Sequence, residues 1–232
     1  MFNRSALLAI ACSLTLAGCD FETKVDLYLS DVLNVAKTGQ PEKVTVRYLL
    51  EVPTQDKCML YGPKIVDIIK TQMPEFTGSS CLRRGLSDFI AITGSAPVVR
   101  GEPINGGENY SFTYNGISAI GVQVQEDNAA QVSLMMHPST FADLMARTKQ
   151  VVGIEYADAK ISKIEIILDN DTKKDFKALF KASLIDGDPV IESPATFKAR
   201  SKRTITVSDV HAKALQRDGS IILFLWLYNK EQ

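Results

Sequence analysis

The residues able to do chemistry are few and scattered. Asp169, Asp171 and Asp175 begin like a calcium loop, but Lys174 stands where that loop needs glycine and Phe180 where it needs its closing acid. A solvated turn accounts for them, as turn chemistry accounts for Asp186-Gly187-Asp188-Pro189. Gly116-Ile117-Ser118-Ala119-Ile120 lacks the closing glycine of a nucleophile elbow, and no Ser-x-x-Lys box occurs. The glycines at 101, 106 and 107 have neither the spacing nor the following helix of a phosphate loop. His137 precedes Pro138 at a helix start, and His211 falls in the first turn of another helix near Asp209. Neither has a second metal ligand close by, and capping suits both places better than ligation. Arg83-Arg84 and the group Lys173, Lys174, Lys177 and Lys181 offer positive charge to an anion or an acidic lipid, against the more ordinary reading as solvated surface. No catalytic residue, cofactor site or metal site follows, and the expectation is a protein that is not an enzyme.

The cysteines say more. Arg4 places a positive charge ahead of the apolar run Ser5 to Ala17. That run has the length of a signal h-region, short of the roughly 20 residues a membrane-crossing helix requires. It closes with Leu16-Ala17-Gly18-Cys19, which resembles the lipobox of bacterial lipoprotein precursors. The resemblance covers residues 1–20 alone. It implies that residues 1–18 are a type II signal peptide that is removed, and that the Cys19 thiol takes a diacylglycerol by a thioether bond. The new terminal amine is then fatty-acylated, palmitate being the usual acid. Several acyl chains hold far better than one, each buried methylene contributing about 0.8 kcal/mol. Asp20 in the following position is similar to the class of enteric lipoproteins kept at the inner membrane. The resemblance thus implies a lipid-anchored domain on the periplasmic face of the inner membrane, with the outer membrane as the alternative.

Export sets the reading of the other cysteines. Cys12 leaves with the signal, Cys19 carries lipid, and Cys58 and Cys81 remain as a pair. In an oxidising compartment the expectation is a Cys58–Cys81 disulfide, stabilising by roughly 3 kcal/mol on the chain-entropy estimate. A zinc site would need more Cys or His nearby, and a redox pair is usually spaced Cys-x-x-Cys.

Periodicity then supplies the elements that carry these residues. Alternation predicts strands at Lys24–Leu29, Lys43–Val52 and Asp88–Val99, the last interrupted near Gly94. Ser30 is expected to cap a short helical turn, Asp31–Ala36, and Pro63 to open a helix that Pro74 ends. Residues 101–109 read as a long loop or lobe boundary, and Tyr110–Tyr114 alternates aromatics. A hairpin is expected from Ile117–Gln125 and Gln131–His137, then a helix from Pro138 to about Lys149. Between Ile161 and Ile185 a second hairpin around Asp169-Asn170-Asp171 is favoured over a helix. Thr204–Val207 is a strand, Ser208 caps a helix that Gly219 stops, and Ile221–Tyr228 is a covered central strand. The sum is an α+β fold, mostly antiparallel strands with about three helices. Residues 19–23 form a short tether, residues 24–100 an N-terminal lobe and residues 110–232 a C-terminal lobe, or the two lobes run together as one domain.

With 45% hydrophobic and 23% charged residues the chain is ordinary for a globular protein. Its 26 Lys and Arg against 27 Asp and Glu give no field to steer nucleic acid. The expected function is a non-enzymatic interaction, envelope-assembly or exclusion module held at the membrane, its partner an envelope protein. The alternative is a carrier of a lipid or other apolar ligand, with an envelope enzyme behind both. Four tether residues, Asp20 to Thr23, span roughly 14 Å, so the domain is expected to sit against its own membrane, with Phe21 dipping into the interface.

Overall fold

A computed structural model of the chain describes residues 20–72, 75, 78–101, 120–126, 130–152, 160–181 and 183–226. Its strands are β1 (Asp20–Tyr28), β2 (Glu42–Val52), β3 (Gly78–Arg84), β4 (Ser87–Arg100), β5 (Ile120–Glu126), β6 (Ala130–Met136) and β7 (Lys160–Asn170). They continue as β8 (Phe176–Phe180), β9 (Ser183–Ile185), β10 (Asp188–Val190), β11 (Ser193–Phe197), β12 (Ser201–Val207) and β13 (Ser220–Trp226). The helices are α1 (Leu29–Thr38), α2 (Gln55–Gln72), α3 (Pro138–Val152) and α4 (Asp209–Asp218). The chain is mixed α and β with strands dominant. Four helices stand among the described residues where about three were expected, because the turn after β1 is a full helix. The break at 101–109, beyond Gly101, the aromatic run at 110–114 and the Ser118 segment lie outside the described residues, as do Cys19 and the segment before it.

All these strands join one sheet in the order β10-β9-β12-β7-β1-β2-β4-β5-β6-β13-β8-β11, with β3 added to β4. β1 runs parallel to β7 and β4 parallel to β5, and the other pairs are antiparallel. Strands from both expected lobes therefore interleave, β1 lying between β2 and β7. The hairpin made by β8-β9 and β10-β11 keeps one register along its length, from Phe180 opposite Ser193 to Ile185 opposite Asp188. Its inner strand pairs with β13 through β8 and with β12 through β9. The sheet thereby curls back on itself into a nearly closed, barrel-like form.

Period-two burial follows the sequence. β1 buries Phe21, Thr23, Val25 and Leu27, and β2 buries Val44, Val46, Tyr48, Leu50 and Val52 on the same inner side. Under the closing hairpin the rings of Phe176, Phe180, Phe197 and Phe224 touch one another at centroid distances of 5.1–6.0 Å. Leu49, Phe89 and Ala91 form a small second cluster on the opposite face.

Several local expectations change. Strand β1 starts at Asp20 rather than Lys24, so no tether of residues 20–23 exists. Ser30 does not cap α1: it lies inside the helix, and the carboxylate of Asp171, far along the chain, accepts its backbone N–H at 3.0 Å and its hydroxyl as well. A capping interaction predicted from the adjacent sequence is thus supplied in space by another strand's turn. Pro63 does not open α2 but sits well inside it. An interior proline costs up to about 3 kcal/mol, and buried Cys58, Ile65, Val66 and Ile69 offset it. Gly94 does not interrupt β4, since it pairs directly with Val46. The segment 161–185 is extended, as favoured, yet it is no hairpin: β7 lies between β1 and β12, and β8 lies between β11 and β13. The hairpin of β5 with β6 and helix α3 stand where the sequence put them. So does α4, whose Ser208 accepts the His211 N–H and whose Gly219 adopts φ +80°. A Cβ on Gly219 would press on the Met136 carbonyl oxygen at 3.1 Å, so only glycine fits.

Asn170 ties the curl together. Fully buried at the end of β7, it donates to the carbonyls of Lys174, Phe197 and Lys198 at 2.9–3.1 Å and accepts from Thr172. Replacing Asn170 with Ala strands those carbonyls, at about 1–3 kcal/mol for each group left unpaired. Urea unfolding of Asn170→Ala should show a loss of about 2–4 kcal/mol, and an unchanged midpoint would contradict this role.

Candidate functional site

The end of the sheet where β1 begins gathers the features that set this chain apart. Phe21 is 4% exposed and packs on Tyr48 and on Phe141 of α3, with centroids 5.1 and 5.6 Å away. It belongs to the core and does not reach out, which overturns its expected dip into a membrane. Burial pushes the Tyr48 hydroxyl up, beyond any physiological titration. The row of paired residues through Phe21 crosses Leu50, Ile90 and Cys81, so β3 and its turn into β4 lie at the same end of the sheet as the first residues of β1, beyond β2 and β4. Arg84 bridges the two, donating to Glu22 at 2.9 Å while its guanidinium lies over the Phe89 ring. Gly85 and Leu86 make the turn, Gly85 at φ +60°.

The expected disulfide is present at this end. Cys58 and Cys81 are bonded with Cα atoms 5.8 Å apart. The spacing placed the cysteines on either side of a helix; instead Cys58 lies within α2 and is buried, and Cys81 lies exposed on β3. The bridge clamps the start of α2 to the outermost strand of that flank. Two residues further along α2, Leu60 is exposed, as is Met59 before it. Gly62 lets the helix approach β3, because a Cβ there would come 3.1 Å from the Ser79 hydroxyl.

The other candidate residues are dispersed. His137 Nδ1 faces the Ser139 and Thr140 hydroxyls at 3.0 Å at the start of α3, and His211 Nδ1 faces Ser208 at 3.1 Å. Both serve their own helix ends. Of the aspartates spaced like a calcium loop, Asp169 pairs with Lys202 at 2.9 Å, Asp171 receives Ser30, and Asp175 pairs with Lys198 at 2.8 Å. The hydrogen bond that Lys202 donates to Asp169 raises its ammonium, and the one Lys198 donates to Asp175 holds that carboxyl below its usual range. Asp31 is shifted the other way, by burial first and then by Glu42 and Asp171. Asp169, Asp171 and Asp175 are each committed to a separate partner. Among the described residues no group of three or more His, Cys, Asp and Glu is placed to hold a metal ion. Lys181 pairs with Glu192 at 2.8 Å, while Lys173, Lys174 and Lys177 line an exposed turn and strand edge. No described helix is long and apolar enough to cross a membrane.

Sequence reasoning missed two things here. The β3–β4 hairpin was unforeseen, although Gly85 between the arginines and Ser87 was the available turn signal. The bond from Arg84 to Glu22 joins residues whose distance in sequence leaves no pattern to read.

Compared with known proteins, the chain matches one family over residues 21–231, a domain of unknown function (DUF7424). No curated protein and no solved structure matches it significantly.

Removing the bridge with a Cys58→Ser, Cys81→Ser pair should cost about 3 kcal/mol in unfolding free energy. Hydrogen exchange should quicken first in α2 and β3, the elements it joins. Peptide mapping without reductant should recover the two peptides joined, and two alkylatable thiols in exported protein would refute the pairing.

Proposed function

This chain belongs to the DUF7424 family, and we propose that it is a lipid-anchored envelope protein that engages its partner at the surface of its own membrane, without a catalytic centre. The reading begins with the signal run and the lipobox Leu16-Ala17-Gly18-Cys19. Residues 1–18 are removed and Cys19 carries the acyl chains. Asp20 favours retention at the inner membrane, facing the periplasm; the outer membrane is the alternative address. Cys58–Cys81 suits that oxidising space.

One observation carries the proximity. The residue after Cys19 is already the first residue of β1, and β1 lies inside the sheet with neighbours on both edges. Without slack between lipid and fold, the domain cannot project across the periplasm as an arm would. Its partners are then membrane proteins, lipids, or molecules brought to that surface. An assembly or exclusion role fits such a place; nucleic acid does not, given the balanced charge. A lipid carrier would need an apolar cavity of some hundreds of Å³. The aromatic rings packed in contact under the closing hairpin lend that reading no support.

Mass spectrometry of the mature protein should find a diacylglyceryl, acylated Cys19, and Cys19→Ser should accumulate as precursor or be released. An unmodified mature terminus would remove the anchor. Proximity is tested by inserting a flexible linker of about 30 residues after Asp20, ending in a second Asp, which adds a coil dimension of around 30 Å. That design keeps both the sorting residue and the first residue of β1. Photo-crosslinking in intact envelopes should then lose the partners captured by the wild type. The same partners at the same yield would refute action at the membrane surface.

A further inference from the structure

The apolar side chains left exposed are not spread over the molecule. Apart from Tyr28, every large apolar residue exposed among the described ones lies on the side where β1 begins. Leu86, 95% exposed, tips the β3–β4 turn, with Leu82 just before it. Met59 and Leu60, 59% and 53% exposed, stand at the start of α2 beside the disulfide. β12 runs antiparallel to β7 and so ends where β7 and β1 start. Val210 follows it in the first turn of α4, and Ile191 follows Val190, which faces Ser183 and through it Val207. Tyr28 marks the opposite end of β1.

Register gives the height of the turn. Phe21 shares a row with Cys81. Asp20 is one residue beyond that row, while the turn is reached only after Leu82, Arg83 and Arg84. At about 3.3 Å per strand residue the turn stands roughly 10 Å past the level of Asp20. Three ion pairs lie on this side, Arg84 with Glu22, Lys163 with Glu165 and Lys181 with Glu192, and Arg83 beside the turn is exposed. Paired charges lose less than lone ones when a headgroup layer displaces water.

We infer that this end of the sheet rests on the bilayer, the Leu86 turn entering the boundary between headgroups and acyl chains while Met59, Leu60, Ile191 and Val210 rest at its surface. The inference rests on the lipid-anchor reading and adds an orientation to it. The occupant is lipid rather than protein because the anchor leaves no room for a protein beneath this end. Apolar contact rather than charge drives it, so the seating is indifferent to salt and to the share of anionic lipid. The end of β1 near Tyr28 then faces outward, toward partners.

The test uses the full mature protein in vesicles of phosphatidylethanolamine and phosphatidylglycerol carrying lipids brominated near the headgroup. Leu86→Trp and Tyr28→Trp are compared with the wild type, in which Trp226 supplies the baseline. The tryptophan at 86 should emit at shorter wavelength and be quenched about twofold, as expected 5–10 Å into the interface, and the one at 28 should stay unquenched. Lipid at Cys19 is read separately by mass. A solvent-like emission at 86 with lipid attached overturns the seating and leaves the anchor standing, the turn then being open to a protein. Quenching at 86 without lipid upholds the seating and removes the anchor. Neither quenching nor lipid removes both.

Discussion

Everything in this fold leans on the pairing of β1 with β7. The two are parallel, and a parallel pair cannot close through a tight turn; it needs a crossover of a dozen residues or more. Here the crossover is most of the chain, since Asp20 lies beside Lys160. One edge of the strand that emerges first therefore waits until β7 is in place. A chain so built pays its largest loop-closure entropy late. The same pairing holds the first residues of β1 within the sheet, from Asp20 beside Lys160 onward.

The polar contacts that matter reinforce that pairing. Immediately after β1, helix α1 begins, and immediately after β7 comes Asp171, whose carboxylate receives the N–H and hydroxyl of Ser30. One residue earlier Asn170 gathers the carbonyls of the turn and of the chain leaving β11. Asp169 holds Lys202 on β12. Three consecutive residues that read from the sequence as a turn thus lock three different neighbours. Asn170 is fully buried, and a buried amide is costly if left unpaired, which is why its donor and acceptor are both matched.

Stability and exposure are distributed unevenly. The closing hairpin buries a continuous set of rings, while the flank carrying β3 is thin, one strand and one helix joined by a disulfide. Beside it lie exposed apolar side chains that a free surface would not favour in such a group. β3 buries almost none of its side chains, and there a covalent bond to α2 adds to the strand pairing.

Local chemistry was legible wherever neighbours in sequence are neighbours in space. Ser208, Gly219 and the run between them defined α4; Pro138 opened α3; alternation with a polar turn marked β5 and β6; and two leftover cysteines named their own bond. Alternation also assigned the buried faces of β1 and β2, because a strand's two faces differ by composition alone. Tertiary structure decided what composition cannot encode. Which edges pair is set by long-range register, so β7 and β8, adjacent in sequence, part company across the sheet. Helix α1 starts where Asp171 reaches it, and α2 tolerates Pro63 because burial on its inner face outweighs the lost hydrogen bond. From residues 16–20 alone one reads an export address, expected from chemistry at a cysteine. That Asp20 is already a sheet residue, and that β1 shares its edges with β2 and β7, follows only from the packing of β1 between strands far from it in the chain.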